Sequence, residues 1–354
     1  EGTKKDLQKA FEWYEKSANR GNAIAQYNVG FMYYYGKGTA KDLTKAFEWY
    51  GKSANGGDIK AQYKLADIYY YGIGDGIEKN YTKAFEWYEK SANGDNEFAQ
   101  SRLGCMYSYG IGINKDYTKA FEWYTKSANR GNINTQYIIA DMYYDGKGTE
   151  KDYTEAFEWY EKSANGGNIH AQNNLANMYY DGEGTNQDLK KAFEWYEKSA
   201  NGGNVKAQYN LADMYYNGKG TNQDFLRAFK WYEKSANGGN IKAQYKLGIY
   251  YYCKILGMNR KYESLIQWLV PLYIKDKNSN AKNALECIYN GYRKPNTPPL
   301  PLFMQNILSN NVPNPVPKQL PQQQAQRGKL KRTLDDSANQ DELTESSPAK
   351  VQKT

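Results

Sequence analysis

The sequence predicts an all-α solenoid of repeated helix pairs, and three observations carry that prediction. Tryptophans stand at 13, 49, 87, 123, 159, 195, 231 and 268, so successive ones are 36 to 38 residues apart. Seven copies of Phe-x-Trp-Tyr keep the same spacing, from Phe11-Glu12-Trp13-Tyr14 to Phe229-Lys230-Trp231-Tyr232. Of ten prolines only Pro271 precedes residue 293, so the repeated region is nearly free of helix breakers. A period of this length marks an array whose units bury their apolar faces only by stacking on one another.

Each unit reads as two helices. In the first, Ala61, Leu65, Ile68 and Tyr69 fall at i, i+4, i+7 and i+8, one face of a helix. Gly72 follows, where a left-handed cap ends a helix at no steric cost. A short glycine loop leads to the second helix, which runs from Leu43 to Tyr50 in the copy that opens with Asp42. Asp42 suits an N-cap because its carboxylate can accept from the free amides of the first turn, and Asp116, Asp152, Asp188 and Asp224 take the same place. Ser53-Ala54-Asn55-Gly56-Gly57 closes this helix, and Asn132, Asn168, Asn204 and Asn240 are placed to cap the next first helix. Asn80-Tyr81-Thr82 is a glycosylation sequon, but Asn80 stands at an N-cap position and reads as a cap. A two-residue insertion in Gly72-Ile73-Gly74-Asp75-Gly76 explains the single spacing of 38.

The combined pattern A-x-x-x-[LVI]-[AG]-x-x-Y-x-x-G-x-G, then D-x-x-K-A-F-x-W-Y-x-K-S-A, resembles the Sel-1-like repeat, a relative of the tetratricopeptide repeat. The resemblance covers residues 1–258 as seven repeats, the first truncated. It implies a right-handed superhelical solenoid of antiparallel helix pairs whose first helices line the concave face. It also implies an adaptor or scaffold for other proteins, since members serve endoplasmic-reticulum quality-control assemblies and signalling proteins. The array then degenerates: residues 259–292, around Trp268 and Pro271, read as capping helices. Residues 293–354 carry nine prolines and a glutamine run at 322–324, and read as a disordered tail. The tail holds Pro298-Pro299-Leu300-Pro301, Ser347-Pro348 and the basic Lys329-Leu330-Lys331-Arg332 as short-motif candidates. The chain opens at Glu1, inside a repeat and without methionine, which reads as a fragment or a processed product.

Composition narrows the function. A net charge of +8 is spread among interleaved acids and bases, which disfavours nucleic acid as a partner. No apolar run reaches the length of a membrane span. His170 is the single histidine, and Cys105, Cys253 and Cys287 are far apart, so neither a nucleophile–base pair nor a zinc site is expected. Loops such as Gly146-Lys147-Gly148-Thr149 join two helices and recur in every repeat, so they are turns rather than phosphate cradles. No enzyme activity, cofactor or metal is expected.

Three columns of the first helices are candidates for partner binding. One holds Tyr27, Tyr63, Tyr137, Tyr209 and Tyr245, with Ser101 and Asn173 in the remaining copies. A second holds Lys60, Lys206 and Lys242 beside Ile24, Phe98, Asn134 and His170. The third holds Asp67, Asp141 and Asp213 beside Phe31, Cys105, Asn177 and Ile249. Tyrosine offers a large rigid area with a polar tip, which suits protein contacts, and together with Asp67, Asp141 and Asp213 it suggests a tyrosine-lined, partly acidic groove for an extended peptide or helix bearing basic residues. The expected partners are peptide or helical segments of other proteins, or the chain's own tail, with no membrane contact in this segment. Two alternatives to a free-standing scaffold remain open: the interaction region of a longer signalling enzyme such as a protein kinase, and an endoplasmic-reticulum quality-control adaptor. An odd cysteine count and one sequon point to the cytoplasm or nucleus, with the endoplasmic reticulum as the other compartment to consider.

Overall fold

The computed structural model describes residues 4–247, residue 75 excepted; the expected capping helices, the tail, Cys253 and Cys287 lie outside that range. Every regular element among the described residues is a helix. The described residues fall into two compact units, divided between Asn168 and Ile169. The first holds α1 (Lys4–Ala18), α2 (Ala23–Tyr35), α3 (Leu43–Asn55), α4 (Ile59–Tyr71), α5 (Tyr81–Asn93), α6 (Glu97–Tyr109), α7 (Tyr117–Asn129), α8 (Ile133–Asp145) and α9 (Tyr153–Asn165). The second holds α10 (Ile169–Asp181), α11 (Leu189–Asn201), α12 (Val205–Asn217) and α13 (Phe225–Asn237), after which residues 241–247 are again helical. Each unit is a solenoid stack of helix pairs: a first helix, such as α4, packs on the second helix that follows it, and that helix on the next first helix of its unit.

The caps explain the regular boundaries. Asp42 Oδ1 accepts from the amide of Lys45 at 2.9 Å, and Asn80 does the same for Lys83 at 2.9 Å, so Asn80 is indeed a cap. Asn132 and Asn240 cap their first helices through Thr135 and Ala243. The two glycines of a loop do different jobs. Gly146 takes φ +70° as the left-handed cap of α8, while a side chain at Gly148 would collide with the Tyr117 carbonyl of α7.

Packing follows the motif residue by residue. The alanine of Ala-Phe-x-Trp-Tyr is 0% exposed at Ala46, Ala84, Ala120, Ala156, Ala192 and Ala228, which lets the helices of a pair approach closely. The buried serine of Lys-Ser-Ala closes each pair: Ser53 donates to the Ala23 carbonyl at 2.7 Å, and Ser91 to Ile59 at 2.8 Å. The same bond recurs from Ser127, Ser163, Ser199 and Ser235. Glutamine joins one pair to the next, as where Gln62 donates to the Ala54 carbonyl at 3.3 Å and Gln208 to Ala200 at 3.2 Å. Edge-to-face rings add to that joint, with Phe47 and Tyr69 centred 5.5 Å apart and Phe193 and Tyr215 5.1 Å apart. On the second helices every tryptophan from Trp13 to Trp231 carries the ammonium of the lysine three residues on, at 3.8 to 4.4 Å from the ring centroid.

Candidate functional site

The three columns share one stripe of the first helix, but they differ sharply in depth. The tyrosine column packs against the last residue of Phe-x-Trp-Tyr in the same pair. Ring centroids lie 5.6 Å apart for Tyr27 and Tyr50, 5.7 Å for Tyr63 and Tyr88, 6.0 Å for Tyr137 and Tyr160, and 5.7 Å for Tyr209 and Tyr232. Tyr63 is buried at 7% exposure, whereas Tyr27, Tyr137, Tyr209 and Tyr245 keep a wet edge. The lysine column is the outermost: Lys60, Lys206 and Lys242 are exposed. His170, in the same column, is exposed as expected and meets Asn204 at 3.3 Å; burial and then Lys206 hold its imidazole below the usual pKa, so it is neutral at pH 7.

The aspartate column is not the solvated surface that its variability suggests. Asp67 accepts from the Tyr88 hydroxyl at 2.5 Å, Asp141 from Tyr160 at 2.5 Å, and Asp213 from Tyr232. In the fifth full pair Asn177 replaces aspartate and accepts from Tyr196 at 2.6 Å. The column is thus the acceptor for the buried tyrosine of the second helix, and all four acceptors are half-buried. Burial, above all, raises the phenol pKa of Tyr88, Tyr196 and Tyr232, so these hydroxyls stay protonated donors at neutral pH.

Among the described residues, two repeats lack a carboxylate or amide acceptor in this column. Phe31 stands in its place opposite Tyr50, whose hydroxyl is buried and has no hydrogen-bond partner among the described residues. Cys105 stands there opposite Tyr124, whose phenol instead meets Ser108 and the Cys105 thiol. In both, the residue before the column is glycine, Gly30 and Gly104, as is Gly248 before Ile249, where the repeats with an acceptor have Ala66, Ala140, Ala176 and Ala212. A β-carbon at Gly104 would lie 2.6 Å from Cδ1 of Tyr124, and one at Gly30 2.9 Å from Cδ1 of Tyr50. Two solutions therefore hold the same ring: a hydroxyl bond with alanine beneath, or ring contact on glycine. The sequence carries this signal as an alternation of Gly-apolar and Ala-Asp/Asn pairs.

The acceptor is also matched by the next first helix. Arg102 on α6, only 8% exposed, interacts with Asp67, Tyr63 and Tyr88 and lies 5.8 Å from the ring centre of Tyr71. In the second unit Lys246 is 3.9 Å from Asp213, and Asn210 donates to Asn177 at 3.4 Å. Among the described residues no group of histidine, cysteine and carboxylate side chains could hold a metal ion, and no helix is long and apolar enough to cross a membrane.

This repeating geometry has known counterparts. The Sel1 repeat model matches residues 1–22, 23–58, 59–96, 98–132, 134–168, 169–204, 205–240 and 241–254. The chain belongs to the Sel1 repeat family. Framed by that family, a repeat is a first helix followed by its second helix, with partial matches at 1–22 and 241–254. Sel1 repeat proteins are generally protein-interaction scaffolds. Among solved structures the chain is similar to a protective antigen present in uropathogenic Escherichia coli strains, at 33% identity and a TM-score of 0.70. That match covers 80% of this chain, and the chain spans 59% of the Escherichia coli protein. It is also similar to a Sel1 repeat protein from Oxalobacter formigenes, at 31% identity and a TM-score of 0.56, over 65% of this chain and 92% of that one. No curated protein matches the chain.

Proposed function

We propose that this Sel1 repeat chain is a non-catalytic scaffold that holds partner proteins on the solvent-facing stripe of its first helices, acting as an adaptor between them. One observation supports this reading. Caps, buried serines, glutamine joints and tryptophan–lysine pairs repeat almost unchanged, while the outermost position of the stripe takes five residue types in seven repeats. Its outermost position is Ile24, Lys60, Phe98 and Asn134 in the first unit, and His170, Lys206 and Lys242 in the second. A framework held constant beneath a varied surface suits recognition of extended partners, each repeat adding one local contact set. The half-buried rings of Tyr27, Tyr137, Tyr209 and Tyr245 add rigid aromatic edges to it. The buried aspartates are better read as framework than as an acidic lining.

The test is affinity capture with the full chain and two folded variants. One changes Lys60, Phe98, Lys206 and Lys242 to serine. The other changes Glu48, Glu86 and Glu194, exposed on the second helices, to serine. Partners retained by wild type and by the second variant, but lost by the first, are expected. Equal capture by all three would place binding elsewhere, and no saturable partner for any would remove the scaffold reading.

A further inference from the structure

Resting on that reading, we propose that α2, α4 and α6 together form a docking site for an acidic segment that carries aliphatic or aromatic anchors. The stripe of α2 carries apolar side chains on either side of Asn28: Ile24 is 66% exposed, Tyr35 39%, and the Phe31 ring is tilted against Tyr35 with centroids 4.6 Å apart. On α6, Phe98 is half-buried and Tyr109 is 56% exposed. Large side chains this exposed, grouped on one face, are the kind of patch that a partner covers.

The charge between these anchors is positive. Lys60 and Lys64 stand on the stripe of α4; Arg102 on that of α6 is buried and matched to the Asp67 carboxylate, and Glu97 stands beside Phe98 in the first turn of α6. The Asp67 carboxylate already accepts from Tyr88 and faces Arg102. A further ammonium, Lys37, lies 5.0 Å from the ring centre of Phe31 and 5.8 Å from that of Tyr35. The three stripes adjoin. Tyr63 and Phe98 are centred 6.2 Å apart, Arg102 covers Tyr71, and Val29 and Tyr33 of α2 share one core cluster with Leu65 and Ile68 of α4.

The pattern changes on α8, where Asp145 is paired with Lys147 at 2.5 Å. There Asn134 stands where α4 has Lys60, and Asp145 where the other three helices carry Tyr35, Tyr71 and Tyr109. An acidic, anchor-bearing segment therefore has its complement on α2, α4 and α6 and none on α8.

Three synthetic peptides test this against the full chain by fluorescence anisotropy. They share one spacing of leucine and phenylalanine and differ only in carrying glutamate, glutamine or lysine elsewhere. The glutamate peptide is expected to bind at least about tenfold more tightly than the glutamine one, with affinity falling as salt rises. Lys60→Glu with Lys64→Glu lowers that affinity by about tenfold. Ile24→Ser with Phe98→Ser abolishes it. Lys190→Glu with Lys230→Glu, exposed on the second helices of the second unit, leaves it unchanged. Circular dichroism establishes that each variant is folded.

Equal or tighter binding of the lysine or glutamine peptide overturns the proposal, as does glutamate-peptide binding that ignores the Lys60 and Lys64 changes. If no peptide binds, the proposal falls, and capture by the serine variants decides separately whether the scaffold reading survives. Self-association by light scattering that Lys60→Glu with Lys64→Glu removes would make a second copy the occupant and overturn the acidic segment.

Discussion

The Tyr88 hydroxyl of α5 donates to the Asp67 carboxylate of α4 at 2.5 Å, and Arg102 of α6 lies against the same carboxylate. One acidic side chain thereby links the two helices of its own pair to the first helix of the next. Its half-burial makes the geometry consequential, because a buried polar group that loses its partner keeps the full cost of its desolvation.

Asp67→Ala leaves both the Tyr88 hydroxyl and the Arg102 guanidinium without their acceptor. It is expected to destabilise the first unit by about 3 kcal/mol. Asp67→Asn keeps an acceptor for the hydroxyl, as Asn177 does for Tyr196, and should cost less than half as much. Urea unfolding with hydrogen exchange read over residues 59–109 compares them. Equal losses for the two substitutions would mean that the carboxylate charge, not the hydroxyl bond, dominates.

Tyr50 reverses that prediction. Its hydroxyl is buried at 1% exposure and has no partner among the described residues, because Phe31 occupies the acceptor position. Tyr50→Phe removes an unsatisfied group and should be neutral or stabilising by up to about 1 kcal/mol. Tyr88→Phe, where the bond exists, should destabilise by about 1–2 kcal/mol. Thermal midpoints of the two variants settle the sign, and a loss at Tyr50 as large as at Tyr88 would show that the hydroxyl is satisfied after all.

Gly104 and Cys105 should behave as one unit. Gly104→Ala alone drives a methyl group to 2.6 Å from the Tyr124 ring and should cost about 1–3 kcal/mol. Cys105→Asp alone supplies the acceptor found in the neighbouring repeats. The double variant recreates the Ala66-Asp67 arrangement, so it should be more stable than the sum of the single effects by about 1 kcal/mol. A double-mutant cycle in urea measures that coupling, and strict additivity would refute the two-solution account of the ring.

Much of this fold was legible in the tryptophan spacing, because the residues that set helix ends and pair contacts recur in register. Asp42, Asn80 and Asn132 cap where their position in the repeat says they should. The role of the third column was harder to read. Phe31, Asp67, Cys105 and Asn177 look like drift on a wet surface when each is compared only with its counterparts. Their meaning depends on residues elsewhere: the alanine or glycine before each one, and the tyrosine about twenty residues on, which reach it only once the pair has folded. The depth of the tyrosine column was likewise not legible, since its rings spend part of their area on Tyr50, Tyr88, Tyr160 and Tyr232.

Asp141 carries the pH prediction. Burial raises its carboxyl above the ordinary aspartate pKa, the hydroxyls of Tyr160 and Tyr137 work against that, Asp145 adds to it, and Lys147 opposes it. The net shift is upward, so the native state holds this proton at pH values where the unfolded chain has lost it. Stability from this group is therefore greatest below the unfolded pKa of about 3.9, falls as pH rises through the raised native value, and stays at that lower level through pH 7. Asp141→Asn keeps the acceptor for Tyr160 and removes the titration, so the variant should be at least as stable as wild type at pH 7. Its advantage should shrink as the solution is acidified and the wild-type carboxyl gains its proton. Thermal midpoints of both proteins across that range give the difference directly, with other titrating groups cancelling between them. A variant less stable than wild type at pH 7, with a deficit that shrinks on acidification, would mean that the hydroxyl bonds outweigh burial and that the Asp141 carboxylate is favoured in the fold; a difference independent of pH would mean that folding leaves its proton affinity unchanged.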